Sequence, residues 1–153
     1  MVGRLQIQYK KEVIVMNNPK KNKELVKAFC NTVFVNHDLS TLDQLMRDDY
    51  IQHNSDVPQG KAGFRQFFEE TFKAMTDFKY TLKQIVADGD LVWIYCTTSG
   101  THTGGEWLGV PPTGNRLNFD VVDMFRIQDG LIAEHWDVAD TYSLFSQLGR
   151  ILR

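Results

Sequence analysis

The sequence predicts an α+β domain in which helices come first and an antiparallel sheet follows. Up to about residue 76 the apolar residues recur at helical spacing, most clearly Phe64, Phe67, Phe68, Thr71, Phe72 and Met75. From residue 77 the period changes to two, and turn signals at Asp88-Gly89 and Gln128-Asp129-Gly130 divide strand-like segments. Strands that follow helices, instead of alternating with them, put the helices on one face of an antiparallel sheet.

Residues 1–18 form an N-terminal extension. Leu5, Ile7 and Tyr9 alternate with polar residues and Val13-Ile14-Val15 is apolar, which fits an added strand, a disordered arm or a stretch preceding a start at Met16. A single domain is expected over 19–150. Its first helix spans about 20–36, with Leu25, Ala28, Phe29, Thr32 and Val33 on one face. A second, short helix covers 41–47, capped by Ser40, with Leu42, Leu45 and Met46 inward. The phenylalanine-rich helix is the third; Arg65, Glu69, Glu70 and Lys73 occupy its other face.

The first strand of the sheet then sets Phe78, Tyr80, Leu82, Gln84 and Val86 on one face. Residues 91–98 are apolar on both faces: Val92, Ile94 and Cys96 point one way, Leu91, Trp93 and Tyr95 the other. Strands at 116–127 and 131–138 pair as a hairpin, and a last helix at 140–148 starts from an Asp140 cap. A sheet apolar on both faces needs both covered. Helices cover one; a homodimer through the outer sheet face is expected to cover the other.

Composition narrows the function. The chain has 153 residues, 42% hydrophobic and 24% charged, with a net charge of −2. That balance points to neither a nucleic-acid nor a membrane partner. The lysines at 10, 11, 20, 21, 23 and 27 lack interleaved aromatics and read as a solvated tail and helix face. Cys30 and Cys96 have no redox or metal partner nearby in sequence and read as core residues of a reducing compartment. No signal peptide or spanning segment is recognised, so a cytoplasmic location is expected.

The chemistry concentrates in Glu134-His135-Trp136-Asp137. Alternate strand residues share a face, so His135 and Asp137 lie side by side in an otherwise apolar run. Asp123 interrupts another strand-like run, Val121-Val122-Asp123-Met124-Phe125. A three-residue loop at 128–130 pairs Asp123 with His135 and Val121 with Asp137, placing all three polar groups on one face; a two-residue loop sets Asp123 opposite Trp136, on the other face. Tyr50-Ile51-Gln52-His53-Asn54 adds polar groups, although a lone loop histidine such as His53 is more often surface. His37 and His102 are weaker candidates, His102 as a residue of the pocket rim. A carboxylate beside an imidazole in an apolar cup suits proton abstraction next to a carbonyl. His53, His135, Asp123 and Asp137 are allowed metal ligands, but their spacing matches no metal motif.

The chain resembles the SnoaL-like polyketide cyclases of the NTF2-like superfamily. The resemblance lies in Tyr50-Ile51-Gln52-His53-Asn54, Gly60-Lys61, Gly100-Thr101-His102-Thr103-Gly104 and the 107–114 segment. Asp123-Met124-Phe125-Arg126 and the 129–137 segment complete it. It implies a cone-shaped barrel with three N-terminal helices on a curved antiparallel sheet, and an apolar pocket working without metal or organic cofactor. It also implies Asp137 as acid/base assisted by His135. Family cyclases carry a histidine where this chain has Asp123. The expected activity is cofactor-independent acid/base chemistry on a small apolar carbonyl compound: aldol-type cyclisation, isomerisation or dehydration. The catalytic residues would be Asp137, His135 and Asp123, with Tyr50, His53, Asn54, Phe67, Trp93 and His102 binding substrate. The alternative is a non-catalytic small-ligand-binding or dimerisation module.

Overall fold

The computed structural model describes residues 18–150, so the extension at 1–17 lies outside the described residues. Helix α1 (Pro19–Phe29) starts where Asn18 caps the backbone N–H groups of Lys20 and Lys21 and proline occupies the first turn. It buries Asn22, Val26 and Phe29; Ala28 is exposed, contrary to expectation. The helix does not run unbroken to residue 36. It widens to a π-helical segment at Cys30–Val35. The second helix is a 3₁₀ turn (Leu39–Thr41) leading into α2 (Leu42–Leu45), and Asp38, not Ser40, is its cap. Asp38 wins because its carboxylate accepts from both the amide and the hydroxyl of Ser40.

Strand β1 (Met46–Gln52) runs directly into the sheet, and α3 (Gly60–Ala74) is the phenylalanine helix. β2 (Lys79–Asp88), β3 (Leu91–Thr101), β4 (Arg116–Gln128) and β5 (Leu131–Ala139) follow, then α4 (Thr141–Gln147), capped by Asp140 as expected. The order across the sheet is β1-β5-β4-β3-β2. The expected α+β class holds, with two differences: β1 precedes α3 and takes Met46 out of the helix expected over 41–47, and it joins β5 in parallel while the other pairs are antiparallel.

Two bulges reset sequence-level faces. In β2 the register shifts between Leu82 and Gln84, so Ile85 and Ala87 pack inward while Val86 is exposed. The simple alternation through Gln84 and Val86 is thereby broken, because an extra residue in one strand turns the rest of that strand over. The final hairpin carries the second bulge. Its loop is the two-residue turn Asp129-Gly130, both with positive φ (53° and 76°), the type that matches strand twist. Alone, that turn would set Asp123 opposite Trp136. A register shift past Ala133 corrects it, so Asp123 pairs with Asp137 and Phe125 with His135. Neither loop register expected from sequence is the observed one, yet Asp123, His135 and Asp137 still share the inner face.

The core lies between that inner face and the helices. Phe29, Phe34, Phe64 and Phe125 meet Val92, Ile94, Leu117 and Ile132. Trp93 points the opposite way and is 42% exposed, beside Val86 and Val138 on the outer face. Gly63 permits α3 to start tight against the preceding turn: a Cβ there would lie 2.2 Å from the Pro58 carbonyl oxygen. A Gly63→Ala variant is therefore expected to lose about 1–3 kcal/mol through overpacking. Urea unfolding checks it as a lower midpoint at unchanged slope.

Candidate active site

The cone encloses a cavity of about 370 Å³ between α3, α4, the 52–57 segment and the inner sheet face. Its apolar wall includes Phe34, Phe67, Phe68, Phe78, Tyr80, Trp107, Phe119 and Phe145. Phe67 and Phe68 are only half-buried because they face this space instead of sealing the core as Phe64 does. Trp107 is held by its indole N–H donating to Thr71 Oγ1 at 2.9 Å. Phe67 lines open space and Trp93 lies on the outer face, so neither side chain fills the cavity.

Asp123, His135 and Asp137 enter the cavity together from β4 and β5. His135 Nε2 is 3.0 Å from Asp123 Oδ1, and its Nδ1 is 3.1 Å from Gln52 Oε1. Phe125 stacks on the imidazole at 4.8 Å. Asn54 Nδ2 donates to both carboxylate oxygens of Asp137, at 3.0 and 2.7 Å. Asn54 is itself oriented, since its Oδ1 accepts from the Asp56 amide. Burial raises the affinity of the Asp137 carboxyl for a proton above the ordinary carboxylate range. The Asn54 hydrogen bonds and the neighbouring His135 oppose that rise, and Asp123 and Asp56 add to it.

Several expected binding residues sit elsewhere. Tyr50 is buried behind the cavity wall, its hydroxyl accepting from Gln52 Nε2. His53 borders the cavity, but its imidazole is committed to Glu134 at 2.8 Å and stacks on Trp136 at 4.2 Å. His102 is fully buried away from the cavity and staples its loop: Nε2 donates to the Gly105 carbonyl, and Nδ1 accepts from Thr113. Trp93 belongs to the outer face because β3 alternates strictly. Gln52 was missed, and the signal was available. Alternation along 50–54 puts Tyr50, Gln52 and Asn54 on one side and His53 on the other.

The chemistry of the remaining groups is restricted. Burial pushes the Cys30 thiol up to about 12, and raises Cys96 and Tyr80 as well, so none offers a ready anion near neutrality. Among the described residues, Asp123, His135 and Asp137 also form the one group that could hold a metal, with ligand atoms within 4.8 Å of one another. His135 Nε2 can serve Asp123 or a cation, not both at once. No described helix is long and apolar enough to cross a membrane.

Residues 24–148 match the family model of the SnoaL-like polyketide cyclases. A 61-residue stretch is 38% identical to nogalonic acid methyl ester cyclase of Streptomyces nogalater, covering 40% of this chain and 45% of that protein. Among solved structures, TsrD of Streptomyces laurentii superposes with a TM-score of 0.78 at 30% identity, covering 88% of this chain and 98% of that one. IdmH of Streptomyces antibioticus gives 0.67 at 32% identity over 84% and 98% of the two chains.

Proposed function

The chain belongs to the SnoaL-like polyketide cyclase family, and from that premise we propose that it is a cofactor-independent acid/base enzyme acting on a small, uncharged carbonyl compound. One observation carries the reading: Asp137 is a carboxylate in an aromatic cavity, held by Asn54 and set beside the His135–Asp123 pair. In this role Asp137 removes a proton from the carbon next to a carbonyl, and burial makes it a stronger base than an exposed carboxylate. The aromatic walls hold the ring system, and the proton shared by the His135–Asp123 pair stabilises the developing enolate oxygen. The resulting carbanion then closes a ring by aldol addition, shifts a double bond, or expels a leaving group.

Charge narrows the substrate. The cavity wall carries the carboxylates Asp56, Asp123 and Asp137 and, among the described residues, neither lysine nor arginine. A free carboxylic acid or phosphate would enter against that field, so an ester or ketone is favoured. The outer sheet face, with Val86, Trp93 and Val138 exposed, is proposed to pair with a second copy of the chain. Sedimentation analysis, compared with a Trp93→Lys variant, tests that pairing.

The activity test needs no knowledge of the final product. An enzyme that abstracts α-protons exchanges them with solvent, so uncharged cyclic ketones and hydroxy-ketones in deuterium oxide should gain deuterium faster with the protein. Exchange with none of the panel, together with an unchanged ligand recovered from the purified protein, would favour a binding module instead.

A further inference from the structure

We propose that Gln52 fixes the tautomer of His135 so that His135 and Asp123 together hold one transferable proton, the acid that complements Asp137. Gln52 Oε1 lies 3.0 Å from the backbone N–H of Asn54, and a backbone N–H can only donate. The atom facing it is therefore oxygen, and the amide orientation is not free to invert. That same oxygen lies 3.1 Å from His135 Nδ1, which must then carry a hydrogen. The amide nitrogen of Gln52 points the other way and donates to Tyr50. On the far side of the ring, Nε2 is 3.0 Å from Asp123 Oδ1.

Two lone pairs repel at that distance, so a hydrogen lies between Nε2 and Oδ1. It belongs either to a protonated Asp123 facing a neutral imidazole or to an imidazolium facing a carboxylate. Either form holds the same single mobile proton. Gln52, His135 and Asp123 are 1, 5 and 8% exposed, so water competes little for these contacts. Had Gln52 presented its amide nitrogen, the ring hydrogen would sit on Nε2, and the pair would have no proton to release without forming an imidazolate.

The inference rests on the acid/base reading of Asp137 and deepens it. In the first step the C–H bond next to the carbonyl breaks, its proton goes to Asp137, and its electron pair becomes the enolate. For an aldol closure the enolate carbon attacks a second carbonyl carbon of the same molecule. The alkoxide formed takes the proton of the Asp123–His135 pair. Asp137 then holds a proton and the pair has lost one. Transfer from Asp137 to Asp123, its cross-strand partner, restores the start with no external reagent. Asp123 and Asp137 act directly on the substrate; Gln52 is a positioning residue acting through His135.

The test is nitrogen-15 spectroscopy of histidine in the full chain, with the His135 signals assigned by their loss in His135→Asn and the Asp123 carboxyl followed by carbon-13. The expected wild-type result is a protonated Nδ1, with one further proton detected on Nε2 or on Asp123. Gln52→Glu, which keeps an oxygen toward Nδ1, retains this pattern. Gln52→Leu shifts the ring hydrogen to Nε2 beside an ionised Asp123 and lowers turnover about 10–100-fold, with a smaller change in KM. A bare Nδ1 in the wild type overturns the proposal, and so does an ionised Asp123 facing a bare Nε2. The wild-type spectrum decides even if Gln52→Leu fails to fold. The stated tautomer without α-exchange on any substrate would support the proton assignment and overturn the acid/base reading, so the two failures are distinguishable.

Discussion

Turnover falls about 10²–10⁴-fold in an Asp137→Asn variant whose fold is unchanged, the range expected when a positioned base is removed. The amide keeps the shape of the carboxylate and can still offer one oxygen to Asn54, so the cavity survives while the base is lost. Circular dichroism and deuterium exchange measured on the same preparation separate the two effects. The pH dependence supplies a second check. Burial raises the Asp137 carboxyl above its unfolded value, so between the two the native state binds more protons than the unfolded chain. Stability therefore declines as pH rises through that window. Asp137→Asn lacks this decline: it should gain stability relative to wild type toward neutral pH, with the gain vanishing below the ordinary carboxylate range. Wild-type activity runs the other way, rising as Asp137 ionises. A variant equally active at all pH values would remove Asp137 from the mechanism.

The largest stability effect is expected at Phe125. This ring is 1% exposed and is wedged between Phe29, at 5.6 Å, and the imidazole of His135, at 4.8 Å. Phe125→Ala removes an aromatic side chain from a core that α1 and β4 cannot close around, at a cost of about 3–5 kcal/mol. That is a large share of the ~5–15 kcal/mol available to a domain. The midpoint of urea unfolding measures it. The same change frees one face of His135, so residual activity should fall further than the folded fraction does. Phe125→Leu, which leaves a smaller void, should lose less of both. A Phe125→Ala protein with wild-type stability would mean that the ring is not the wall between core and site.

Much of this architecture is written in local pattern. The phenylalanine stripe of α3 gives both the helix and its inward face, because side chains three and four apart lie together. Its outcome is divided, however. Phe64 seals the core, whereas Phe67 and Phe68 line the cavity. Asp123 is conspicuous in sequence as a charge within a strand-forming run, and His135 with Asp137 as polar alternates in an apolar strand. Trp93 and His102 show the opposite case. Both are residue types suited to a pocket, and neither reaches it: strict alternation turns Trp93 outward, and the loop at 102–115 folds over His102.

The sequence by itself determined the phenylalanine helix, the four strands after it and which residues could carry charge into the interior, because periods of 3.6 and 2 are properties of neighbouring residues; the edge strand β1 was not among them. The tertiary structure decided the pairing. A bulge at Ala133 cancels the displacement that the Asp129-Gly130 turn would impose, and so keeps Asp123 on the face of His135 and Asp137. A parallel edge strand then brings Gln52 to His135 and Asn54 to Asp137 across 83 residues of chain. Bulges and strand partners are chosen by how well distant segments bury one another, and no local spacing encodes that choice.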